Sequence, residues 1–101
     1  MNTKKTNSTL KQVDFKVSGR VQGVCFRMFV QQNAKINNVS GWVRNCSDGT
    51  SVEGLMQGSL ENLHKMIEIL KKGPSMARVL NSYFDWEENP KQIFDSFDIK
   101  H

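Results

Sequence analysis

Residues 12–36 read QVDFKVSGRVQGVCFRMFVQQNAKI, and the change of period within them decides the architecture. Val13, Phe15 and Val17 alternate with polar residues, which predicts a half-buried strand over residues 12–18. Phe26, Phe29, Val30, Ala34 and Ile36 recur at helical spacing and predict a helix with one core-facing stripe, running to about Asn37. Asn37-Asn38 suits its end, because Asn tolerates the left-handed backbone there. Between strand and helix lies a loop, Gly19 to Cys25, with two glycines four residues apart.

Outward from this unit the signals continue. Residues 39–45 start a second strand around Trp42 and Val43, and Ser47-Asp48-Gly49 is a turn signal. TSVEGLMQ (50–57) completes a hairpin. Ser59 is a candidate N-cap for a second helix, with Leu60, Leu63, Met66, Ile67 and Leu70 as its apolar stripe. Lys71 and Lys72 complement the negative helix end, and Gly73-Pro74 stops it. Arg78 to Trp86 reads as a fourth strand, Glu87 to Pro90 as a turn, and FDSFDIK (94–100) as a last short strand. The order β-α-β-β-α-β with an extra terminal strand is that of the split βαβ, ferredoxin-like arrangement. It predicts an α+β domain: an antiparallel sheet of about five strands, covered on one face by two helices.

Composition bounds the rest. The 101 residues suffice for one domain with one core, expected over residues 11–101. The opening MNTKKTNSTLKQ is polar and basic and lacks the apolar stretch of a secretory leader, so residues 1–10 are expected to be a flexible lead-in. No apolar run approaches the roughly 18 residues of a membrane span. Cys25 and Cys46 form neither a disulfide framework nor a zinc spacing, and His64 and His101 stand alone in the sequence. A reducing, cytoplasmic setting without metal is the expectation. The net charge of +4 suits an anionic partner without choosing one.

The loop narrows that choice. Two glycines in a strand-to-helix turn let successive backbone N–H groups converge on a point. The helix that follows adds its own free N–H groups. Arg27, in the first helical turn, has the planar fork to close such a cradle on a phosphate, sulfate or carboxylate. On local pattern alone, a tight turn with a solvated arginine accounts for the same residues. The pattern is neither a P-loop nor a dinucleotide fingerprint.

A second stretch adds weight. Gly41-Trp42-Val43-Arg44-Asn45 places Asn45 at the end of a strand that can lie beside the first. Together with Gly19-Arg20-Val21-Gln22-Gly23-Val24-Cys25-Phe26-Arg27, it resembles the two motifs of the acylphosphatase family, and the likeness runs from about Val13 to Ile99. The resemblance implies hydrolysis of the carboxyl–phosphate bond of acyl phosphates on a ferredoxin-like fold, without metal or organic cofactor. It implies that Arg27 binds the phosphoryl group and Asn45 positions water. It also implies that Gly19, Arg20, Val21, Gln22, Gly23, Val24 and Cys25 form the substrate-binding loop through their backbone amides. Inorganic phosphate or sulfate would compete. The partner would be a small molecule rather than nucleic acid or membrane, and the protein a monomer.

Several details qualify the match. Arg20 and Arg44 read as a solvated rim that attracts anions, with the Arg44 side chain opposite Asn45 across the strand. Cys25 reads as a small buried filler rather than a nucleophile. Cys46 stands where many relatives carry a hydroxyl residue. The turn Asp48-Gly49-Thr50-Ser51-Val52-Glu53-Gly54 is one residue longer than the family pattern, an excess that a bulge or a wider turn near Thr50-Ser51 would absorb.

Three rival readings share the fold. An RNA-recognition domain needs aromatics on the exposed sheet face, and Trp42 and Phe15 are expected in the core. A degenerate relative would bind phosphate without turnover, or act as a carbamoyl-phosphate-handling module. A phosphate-sensing partner is the third.

Overall fold

The computed structural model describes residues 10–101. Residues 1–9, nearly all of the expected lead-in, lie outside the described residues. The elements are β1 (Lys11–Arg20), α1 (Phe26–Ile36), β2 (Ser40–Asn45), β3 (Ser51–Gly58), α2 (Leu60–Lys72), β4 (Arg78–Glu87) and β5 (Phe97–Lys100). The five strands make one sheet in the order β4-β1-β3-β2-β5. β1 lies between β3 and β4 and β2 beside β3, all antiparallel. β5 runs parallel to β2, from Gly41 opposite Phe97 to Arg44 opposite Lys100. The fold is the ferredoxin-like α+β arrangement, but its sheet is mixed rather than wholly antiparallel.

Alternation along the strands builds the core. Val13, Phe15 and Val17 of β1, Val43 of β2, and Val52 and Met56 of β3 point to one face and are buried. Phe26, Val30 and Ala34 of α1 and Leu63, Met66, Ile67 and Leu70 of α2 close over them. Burying side chains of this size is the main stabilising term for such a domain. Ser59 caps α2, its hydroxyl accepting from the Asn62 N–H at 3.1 Å, and Gly73 ends the helix with φ +72°. Asn38 leaves α1 in the left-handed region at φ +59°.

Four expectations need correction. Trp42 is outside the core: its neighbours Gly41 and Val43 are buried, so alternation puts it on the open face of the sheet. There Lys100 and Arg44 lie over its ring, at 4.4 and 5.2 Å from the centroid. Ile36 is 79% exposed at the last turn of α1, past the point where that helix meets the sheet. Leu60, at the first turn of α2, is half exposed. The last strand begins at Phe97, not Phe94, because residues 91–95 are held by a side chain instead of by a strand.

That side chain is Gln57. β4 and β5 occupy opposite edges, so the chain between them must cross the sheet. Gln57 lies on β3 and is 1% exposed. Its amide donates to the Gln92 carbonyl at 2.6 Å and to Gln12 Oε1 at 2.8 Å, and its oxygen accepts from the Phe94 N–H at 2.9 Å. One buried amide thus fastens the crossing segment. The chain then enters β5 beside β2, with the Gly41 N–H bonded to the Ser96 carbonyl at 2.9 Å.

Candidate functional site

The residues singled out in the sequence gather where β1, β2 and β5 end and α1 begins. β1 continues through Gly19 and Arg20, which pair with Val79 and Arg78 of β4, so the connecting loop is shorter than expected. Register shifts between Ser18 and Gly19, a bulge that bends the strand end. Gly19 has φ +133°, and a Cβ there would lie 2.2 Å from the Arg78 carbonyl oxygen. Only glycine fits. Its N–H donates to the Thr50 carbonyl at 2.9 Å, which ties β1 to the turn between β2 and β3.

Residues 22–25 form the turn itself. Gly23 has φ +76° and open space where a Cβ would stand. Cys25 precedes α1 in the left-handed region, with φ 61° and ψ 27°, and makes no side-chain cap. Its thiol is exposed, so it is not the buried filler expected. The first turn of α1 carries no acidic residue, and nothing nearby on the helix offsets its positive end.

Arg27 projects from that first turn and is half-buried. Its Nη1 lies 3.3 Å from Nδ1 of His101 and 3.5 Å from the Lys100 carbonyl oxygen. Both contacts are at the long end of hydrogen bonding, and among the described residues no carboxylate pairs with this guanidinium. Asn45, the last residue of β2, is half-buried beside it. A cleft of about 460 Å³ is lined by Val21, Gly23, Cys25 and Arg27 together with Asn45 and His101. Its apolar walls are Phe26, Met28 and Ile99.

The structure therefore brings Val21, Gly23, Cys25, Arg27 and Asn45 around one space. Gly19 and Arg20 support it from β1. Val24 packs against the core. The Gln22 side chain turns away to the β2–β3 turn, where its amide donates to the carbonyls of Cys46 at 2.9 Å and Ser51 at 2.8 Å. Arg44 is not a free rim cation, since it pairs with Glu53 at 2.7 Å. With Lys16 and Asp48 it borders a second cleft of about 470 Å³, which meets the first at Asn45 and His101.

The longer turn after Asn45 is ordered by Asp48. Its carboxylate accepts from the N–H groups of Thr50 at 2.9 Å and Ser51 at 3.0 Å, and from the Ser51 hydroxyl. The hydroxyl bond, then the Thr50 N–H, hold the Asp48 carboxyl below its ordinary range. Register from Asn45 opposite Val52 onward is unbroken, so the extra residue widens the turn and leaves the strands regular.

His101 is the residue that sequence reasoning missed. It lies 74 positions from Arg27, and only the parallel docking of β5 brings the two together. Nothing local to either motif signals that approach. Among the described residues no three His, Cys, Asp or Glu side chains gather as a metal-ion donor set would. No helix among them is long and apolar enough to cross a membrane.

Comparison with known proteins agrees with this geometry. The family model for acylphosphatases matches residues 13–99. The chain is 41% identical to acylphosphatase-2 of Bos taurus over 98 residues, which cover 95% of this chain and 98% of that protein. The fold superimposes on the crystal structure of the acylphosphatase from Bacillus subtilis with a TM-score of 0.84 and 34% identity, covering 90% of this chain and 99% of that one. The acylphosphatase structure from Coxiella burnetii matches with a TM-score of 0.84 and 31% identity, covering 99% and 100%.

Proposed function

The chain belongs to the acylphosphatase family, and from that premise we propose that it hydrolyses acyl phosphates to a carboxylate and inorganic phosphate in the cleft between Arg27 and Asn45. The observation that carries this reading is the convergence of the residue 21–25 turn, Arg27 and Asn45 on one space, from three separate elements.

The phosphoryl group sits against the backbone amides of the turn and the open start of α1. Arg27 exchanges its long contacts to His101 and Lys100 for two parallel bonds to phosphoryl oxygens. Phe26 and Ile99 supply apolar walls beside these donors. The Asn45 amide holds a water on the far side of phosphorus from the leaving carboxylate, which aligns attack and departure.

The chemistry asks little more of the protein. A leaving carboxylate has a conjugate acid of pKa about 4–5, so it departs without a general acid. A substrate oxygen takes the proton of the attacking water. On this reading neither metal nor organic cofactor is required. In-line attack directs the acyl group away from Asn45, toward the open side of the cleft, which supports broad acyl tolerance. The working enzyme is taken as a cytoplasmic monomer, with inorganic phosphate or sulfate competing for the same cradle.

Hydrolysis of benzoyl phosphate by the purified protein, with and without EDTA, tests the reading. Equal turnover in both is the expected result. No turnover by the folded protein would leave the degenerate, phosphate-binding reading, and turnover lost to EDTA would overturn metal independence.

A further inference from the structure

Gln22 has a use in this fold that its place in the loop does not suggest. A loop residue next to a phosphate cradle would be expected to offer its side-chain amide to the anion. Here the amide nitrogen faces the other way, and both of its hydrogens are accounted for. It donates to the Cys46 carbonyl at 2.9 Å and to the Ser51 carbonyl at 2.8 Å. These two carbonyls belong to one closed turn, because the Cys46 N–H itself donates to the Ser51 carbonyl at 2.9 Å. Gln22 therefore grips both ends of the segment that follows Asn45.

The consequence concerns distance. The anion cradle belongs to the β1–α1 connection, and Asn45 belongs to β2. β3 separates β1 from β2 in the sheet, so no backbone ladder joins the two directly. Besides the Gly19–Thr50 bond at the base of the turn, the Gln22 amide is what spans the gap next to Asn45. The bond to the Cys46 carbonyl holds the Cys46–Ser47 peptide group, one residue beyond Asn45, and the Ser51 carbonyl that Gln22 also grips accepts from the Cys46 N–H of the peptide group directly after Asn45.

From this we propose that Gln22 is a positioning residue: it sets where the Asn45 amide stands relative to the phosphoryl group, and so where the attacking water is held. This rests on the reading of Asn45 as the water-positioning residue. Gln22 does not touch the substrate through its side chain. Its loss leaves the cradle amides and Arg27 in place, so anion affinity persists while the line of attack loosens. A displacement of even about 1 Å in a reacting group costs on the order of a hundredfold in rate.

The test is a double-mutant cycle on benzoyl phosphate hydrolysis, using Gln22→Met, Asn45→Ala and the double variant. Methionine keeps the length of the side chain and removes both donors. In the wild-type background Gln22→Met is expected to lower kcat by about tenfold or more, with the inhibition constant for inorganic phosphate changed by less than about twofold. In the Asn45→Ala background the same change is expected to cost less than about twofold, because the group it positions is gone. An equal loss in both backgrounds, or a kcat within about twofold of wild type, would overturn the proposal. If Asn45→Ala alone keeps the full rate, the reading of Asn45 fails first and this inference falls with it. Should Gln22→Met not fold, Gln22→Asn, too short to reach both carbonyls, carries the same expectations.

Discussion

At the scale of single residues the site depends on backbone shape as much as on side chains. Gly19 and Gly23 both have positive φ, yet they differ in what surrounds them. A methyl group at Gly19 would overlap the Arg78 carbonyl, so Gly19→Ala is expected to cost at least about 3 kcal/mol in urea denaturation. Gly23→Ala meets open space and pays only the left-handed penalty, about 1–2 kcal/mol. On the proposed reading, in which Asn45 holds the attacking water and not the bound anion, Asn45→Ala should lower kcat on the order of a hundredfold while the inhibition constant for phosphate moves less than about threefold. Arg27, Asn45 and the glycine turn were all legible in the sequence, because each lies within a short motif. His101 was not: its approach to Arg27 depends on where the last strand docks. The exposure of Cys25 was also illegible, since it follows from a left-handed backbone at a position that carries no glycine.

At the scale of elements, periodicity located all five strands and both helices. It failed where one side chain replaces a ladder. Residues 94–96 read as the start of the last strand, but Gln57 holds Phe94 within the crossing. Gln57→Ala would leave the Phe94 N–H and the Gln92 carbonyl without their partner, a loss of about 2–3 kcal/mol by urea denaturation. Gln57 lies near the far end of β3 from Ser51, so kcat/KM should stay unchanged. The register of Trp42 shows a second limit: an aromatic in a strand reads as core until alternation with its neighbours is fixed by the fold. The turn after Asn45 adds a pH dependence. The Asp48 carboxyl is held below its ordinary 3.8 by the Ser51 hydroxyl and the Thr50 N–H, so the stability it confers is present above that value. That stability is lost as pH falls through the lowered folded value. Thermal denaturation followed from pH 5 down to about pH 2 should therefore show a smaller acid loss for Asp48→Asn than for the wild type.

At the scale of the whole molecule, charge and topology both serve the cleft. The protein carries a net charge of +4, and Arg20 and Arg78 pair across adjacent strands at the end of the sheet that holds the site. An anionic substrate is drawn toward this end, so kcat/KM for benzoyl phosphate should fall as sodium chloride rises from about 0.02 to 0.5 M, while kcat holds steady. The ferredoxin-like order was legible as a sequence of elements. The parallel β5 was not, because strand direction at the far edge is set by the route of the crossing and not by the strand itself. That parallel docking places the Lys100 carbonyl and His101 against Arg27, so the guanidinium rests on weak partners that an anion can displace. The measurement that tests this account most directly is benzoyl phosphate turnover and inorganic phosphate binding by Arg27→Ala, with circular dichroism to establish that the variant is folded. The account predicts that turnover and phosphate binding disappear together in a folded protein. A folded Arg27→Ala that keeps either one near the wild-type level would contradict it.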